Sequence, residues 1–140
     1  EADTATQLMT QLEAETNLHQ LTEMQTIQLM EDIYLTTLTV RDESAAFLLE
    51  YGDLRVLIPN AITHSILNQL TPEALKDDTL LILNPAQFEN DDLADWLSHP
   101  AQMTLINGKV LNCDHCISTD QHGRIHVCSD GVGLWLEGTD

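Results

Sequence analysis

Basic residues are what this sequence has least of. Its 140 residues hold five Lys and Arg against 23 Asp and Glu, a net charge of −18. Protein–nucleic acid affinity draws largely on Lys and Arg releasing phosphate counterions. Arg41, Arg55, Lys76, Lys109 and Arg124 are scattered and build no basic patch. Direct nucleic-acid binding by this chain is therefore not expected, nor is attraction to an anionic membrane surface. Aromatic residues make up 4% of the chain, so a core must be assembled from Leu, Ile, Val and Ala within the 43% that is hydrophobic. No apolar run approaches the roughly 18 residues of a spanning helix, so no membrane insertion is expected. P-loop, dinucleotide-binding glycine and Ser-His-Asp patterns are all missing. The opening "EADTATQ" is not a secretory signal segment and suggests a piece excised from a longer protein.

What is present reads as one domain over residues 1–140. Leu8, Met9 and Leu12 recur at helical spacing and predict a short helix over about residues 4–16. "QTIQL" and "IYLTTLTV" are rich in β-branched residues and predict strands. In "SAAFLLEYGDLRVLIP" two apolar runs flank Gly52-Asp53, the pattern of a hairpin. Asn60 is placed to cap a helix through "AITHSILNQL". "TLLILN" predicts a central strand closed by Pro85. "ENDDLADWLSHP" predicts a helix with its acids at the favourable N-terminal end, stopped by Pro100. "QMTLIN" predicts another strand, and the tail predicts three short strands turning at "QHG" and "DGVG". The order gives an α/β fold, a mixed sheet with flanking helices.

Chemistry-bearing residues concentrate between Cys113 and Cys128, which hold all three cysteines and three of six histidines. Cys113-Asp114-His115-Cys116 has the spacing of a zinc half-site or a redox pair. A redox pair needs its first Cys at a helix N-terminus to lower the thiol pKa, and no helix is predicted there. Zinc could recruit Cys113, Cys116, His126 and Cys128, with His122 as a further candidate. Structural zinc sites have a second paired motif, and this sequence has none. The plainer alternative is a hairpin around "QHG" in which Thr119 faces Ile125, Ser118 faces His126, Ile117 faces Val127 and Cys116 faces Cys128. That register allows a Cys116–Cys128 contact or disulfide, leaving three free thiols or one. His64 reads as a surface or capping residue. His99 reads as a partly charged residue near a helix C-terminus, where it interacts well with the dipole. Glu89, Asn90, Asp91 and Asp92 lack the spacing of a calcium loop and read as a solvated helix start. Trp96 and Trp135 are expected in the core or at its edge.

From "DESAAFLLEYGDLRVLIPNA" onward the sequence resembles the C-terminal half of the metallo-β-lactamase-like domain of ComEC-type DNA-internalisation competence proteins. "SAAFLLEYGDLRVLI", "TLLILN", "SHPAQMTLING" and "STDQHGRIHVCSDG" match successive strands and turns of that pattern, and "LTEMQTIQLMEDIYLTTLTV" resembles the strand pair before them. The match covers about residues 7–137, with Met24 and Met30 where the family commonly has glycine. It implies half of an αββα sandwich. It also implies lost chemistry. The family's Gly-Asp ligand position holds Pro59-Asn60 here, and its His-His-Gly-Ser segment holds "NPAQ", Asn84 to Gln87. Asn is a poor substitute for a carboxylate on a hard or borderline cation. The family's His-x-His-x-Asp-His cluster is absent, and a hydrolytic zinc site needs about three protein ligands.

The resemblance thus implies a non-catalytic, metal-site-deficient domain of a DNA-uptake protein, structural or protein-interacting, with no cofactor and no catalytic residue. Its parent would be a membrane protein with this soluble domain outside the cytoplasm. Two rivals are carried. One is part of a metal-dependent hydrolase whose first ligand cluster lies on an N-terminal half, with Asn60, His64 or the Cys/His segment replacing lost ligands. The other is a zinc-binding interaction module on the Cys/His segment. Half a sandwich would bare an apolar sheet face, so either the chain's own elements cover that face or a homodimer does, alongside other domains of the parent.

Overall fold

A computed structural model of the protein describes Gln7, residues 22–110 and residues 112–139. Of the helix expected over about residues 4–16, Gln7 is helical and the other residues lie outside the described ones. The fold is mixed α/β: a seven-stranded sheet in simple sequential order, with a separate two-stranded ribbon.

The first four strands form an antiparallel meander: β1 (Gln25–Met30), β2 (Ile33–Arg41), β3 (Ser44–Tyr51) and β4 (Leu54–Ile58). Asp32 and Asp42 take left-handed conformations in the tight turns, φ +63° and +51°, where Asp is better tolerated than most residues. Gly52 turns β3 into β4 at φ +57°, as "YGD" predicts. From β4 the pairing becomes parallel through β5 (Leu80–Leu83), β6 (Met103–Ile106) and β7 (Cys116–Ser118).

Helix α1 (His64–Leu70) links β4 to β5, and α2 (Asn90–Leu97) links β5 to β6. Parallel strands laid down in sequential order with right-handed crossovers put every connecting helix on one face. Both helices accordingly pack into a single cluster, where Leu67 and Trp96 meet Leu48, Leu57, Leu81 and Ile106. Trp96 is fully buried and its indole Nε1 donates to Ile62 O at 2.9 Å. Asn60 does not cap α1. Asn60 and Ala61 both have positive φ, +34° and +68°, and Ile62 N donates to Pro59 O at 2.8 Å. This mirror-image turn pushes the helix start onward, and Thr63 Oγ1 caps it by accepting from Ile66 N at 3.3 Å.

The tail departs from the expected hairpin. β7 pairs with β6, so Cys116 lies beside Thr104 and not opposite Cys128. A single helical turn, α3 (Thr119–His122), then ends at Gly123, whose φ of +68° and ψ of −134° suit glycine alone. The chain crosses to the other face of the sheet as β8 (Arg124–Ser129), which pairs antiparallel with β9 (Leu134–Thr139). Cys128 stands opposite Trp135. The apolar alternation of "RIHV" is real, but it serves the sheet face. Ile125, Val127 and Leu136 lie over Val56, Leu80, Leu105 and Ile117. A β7–β8 hairpin would have left that face bare, at roughly 25 cal/mol for each Å² of apolar area uncovered. The chain's own ribbon thus covers the face over β4–β7. Trp96 takes the core position expected of it, whereas Trp135, expected in the core or at its edge, sits 46% exposed on the ribbon.

The ribbon's tip is anchored at the β3–β4 turn. Asp53 N donates to Gly131 O at 2.6 Å, and Gly131 lies against the Tyr51 ring. The tip is tied internally as well. Asp130 Oδ1 accepts from Gly133 N at 2.7 Å and Val132 N at 3.0 Å. The Gly133 bond, and then the Val132 bond, hold the Asp130 carboxyl below the usual carboxylate range.

Candidate functional site

In open α/β sheets, ligands bind outside the carboxyl ends of the parallel strands. Here that edge is assembled from the segments after β4, β5, β6 and β7. Asn60 follows β4 and Gln87 follows β5, and the Gln87 amide Nε2 donates to Asn60 Oδ1. Asn84 Oδ1 accepts from Ala86 N at 3.3 Å, holding the 3₁₀ turn Pro85–Gln87. After β6, Gly108 N donates to Thr119 Oγ1 at 2.9 Å, and Asp120 N donates to Gly108 O. The two segments singled out by the sequence, Pro59-Asn60 and Asn84–Gln87, do come together. They meet as amides bonded to each other and to backbone. Neutral amides offer a divalent cation carbonyl oxygens but no charge and no imidazole.

The chain's soft ligands gather elsewhere, in the loop between β6 and β7. Cys113 and Cys116 form a disulfide with Cα atoms 5.5 Å apart, which leaves Cys128 as the free thiol. Cys113 Sγ stands 3.8 Å from both His115 ring nitrogens. Among the described residues, Cys113, His115 and Cys116 are the one group of three or more His, Cys, Asp or Glu side chains close enough to share an ion, their ligand atoms all within 4.8 Å. His126 and Cys128 belong to β8 and stand outside that group, as does His122 in α3. The predicted four-residue set therefore divides in two. His115, which the sequence reading passed over, is the residue that joins the cysteines. The "CDHC" spacing was its signal, since a residue between two linked cysteines is held beside them.

A second cluster was also missed. His99, expected as a partly charged residue near a helix C-terminus, is buried at 7% exposure. Its Nδ1 lies 3.5 Å from His64 Nε2, and the His64 ring packs edge-on to Trp96 at 4.9 Å. Burial lowers the His99 pKa, and the neighbouring His64 lowers it further, against a smaller opposing pull from Asp77. His99 Nε2 is buried with no hydrogen-bond partner among the described residues. Thirty-five residues separate the two rings in sequence, so no local pattern brings them together.

A third feature is an acidic cleft of about 550 Å³ where the ribbon tip meets the meander, lined by Asp32, Tyr34, Glu50, Tyr51 and Asp130 among others. Asp91 and Asp92 sit in the first turn of α2, as a solvated helix start requires. No helix among the described residues is long and apolar enough to cross a membrane. Compared with family models, curated proteins and solved structures, the chain matches none.

Proposed function

We propose that this chain is a non-catalytic, metal-site-deficient domain of a ComEC-like DNA-uptake protein, acting as a structural or protein-interaction unit. The observation that supports this most is the carboxyl edge of the parallel strands. Asn60, Asn84 and Gln87 fall at the positions that the resemblance aligns with the family's ligands; Gln87 bonds Asn60 and Asn84 bonds the adjacent backbone. A hydrolytic site there would need a charged or imidazole ligand set to hold a cation and activate water. The partners of such a unit would be the parent's other domains and a second copy of this chain. With a net charge of −18, contact with DNA would fall to other parts of the parent.

The test is phosphodiesterase activity of the longest parent protein that can be purified, with Mn²⁺ or Zn²⁺, beside its Asn60→Ala variant. Equal rates in the two are expected, because Asn60 touches no reacting group. A large loss in Asn60→Ala, with unchanged folding by circular dichroism, would favour the metal-dependent hydrolase instead.

A further inference from the structure

We propose that Cys113-Asp114-His115-Cys116 is a redox-gated site for one thiophilic cation of the Zn(II) or Cu(I) type. In the reduced protein the ion is held by Cys113 Sγ, Cys116 Sγ and a ring nitrogen of His115. In the oxidised protein the Cys113–Cys116 disulfide removes both sulfur ligands. The inference concerns this loop alone and does not depend on the parent's identity.

The geometry carries it. Three soft or borderline ligand atoms lie within 4.8 Å of one another on four consecutive residues. A tetrahedral ion with metal–sulfur bonds of about 2.3 Å holds two thiolates about 3.7 Å apart. With Cα atoms 5.5 Å apart, rotation about the cysteine side-chain bonds provides that separation once the disulfide opens. The His115 ring presents both nitrogens to Cys113 Sγ at the same 3.8 Å, so a small ring rotation brings either onto the ion. Cys113 and Cys116 are half-buried and His115 is exposed. An ion can therefore enter from solvent, and a fourth position stays open to water or to a ligand from a partner.

The same loop is poorly built for disulfide-exchange catalysis. Such catalysis commonly rests on an attacking thiolate stabilised at a helix N-terminus. The next helical turn starts only at Thr119, beyond Cys116 and the rest of β7. The disulfide acts as a gate. Opening it takes an external dithiol. The dithiol is oxidised to its own disulfide and delivers two electrons and two protons, which leave Cys113 and Cys116 as thiols. Ion binding then displaces those two protons to solvent, while His115 binds as the neutral imidazole.

The experiment is titration of the full chain with Zn(II), and separately with Cu(I), against a chromophoric chelator, after reduction or after mild oxidation. One equivalent is expected in the reduced protein and none in the oxidised protein. Cys113→Ser should abolish binding. His115→Ala should weaken it about tenfold or more, since even outer-shell partners of metal ligands are worth about that much. Cys128→Ser should leave it unchanged. Thiol alkylation of the reduced wild type gives a readout that does not depend on the folding of any variant. Added metal should protect Cys113 and Cys116 and leave Cys128 reactive. No binding by the reduced wild type, or protection that includes Cys128 equally, would overturn the proposal.

Discussion

At the scale of single residues, His99 has the clearest energetic consequence. Folding moves its imidazole from water into contact with His64 and Trp96, and burial is the main reason its pKa falls. An unfolded His titrates near about 6.5. Above that value both states hold His99 neutral and its stability contribution is complete. As pH falls below it, the unfolded chain takes up a proton that the folded chain resists, so stability is lost down through the lowered folded pKa. The urea midpoint is therefore expected to drop between pH 7.5 and pH 5.5, and to drop less in His99→Gln. Equal acid sensitivity in the variant would assign the loss to other groups. Trp96 shows how much can rest on one side chain, since its single indole bond ties α2 to the turn that precedes α1.

At the scale of elements, the contact between the two glycine turns decides whether the ribbon docks. A Cβ added at Gly52 would collide with the Gly131 carbonyl, with Gly131 C and Cα at 2.9 and 3.0 Å. Gly52 also sits at φ +57°. Gly52→Ala should cost about 2–4 kcal/mol, the sum of left-handed strain and overpacking, measured as a shift in the denaturation midpoint. Gly52→Asn relieves most of the backbone strain but keeps the collision. Equal loss in the two variants would place the cost in docking, whereas recovery in Gly52→Asn would place it in the turn. Elements fixed by local chemistry were legible in the sequence. The β3–β4 hairpin follows from "YGD", α2 from its acids and Pro100, and the β8–β9 turn from "DGVG". Elements fixed by competition for a distant face were not. β7 and β8 have the alternation of a hairpin, and nothing between Cys116 and Cys128 signals that Thr104 and Trp135 are the true neighbours. The candidate site divides the same way. His115 was within reach of the local spacing, while the His64–His99 pair exists only because two crossovers return to one face.

At the scale of the whole molecule, the ribbon settles only part of the exposed-face question. Met24, Leu29, Met30 and Tyr34 remain 40% or more exposed around β1 and the start of β2. A homodimer in solution would gather those residues at its interface, and light scattering should then give twice the 15.6 kDa of one chain. A clean monomer across the concentration range would count against it. Charge works the other way, since bringing two such acidic chains together costs repulsion, and the dimer fraction should rise with salt as that repulsion is screened.

The ribbon's place at the end of the described fold bears on the order in which the chain acquires its structure. During synthesis β1 to β7 emerge first, and among the described residues the face over β4–β7 is covered only when residues 124–139 follow. Covering that face therefore waits on the ribbon, and a nascent chain stalled before it offers Val56, Leu80 and Leu105 to any chaperone or sticky neighbour. A version ending at Gly123 should bind a hydrophobic dye and aggregate, where the whole chain stays dispersed.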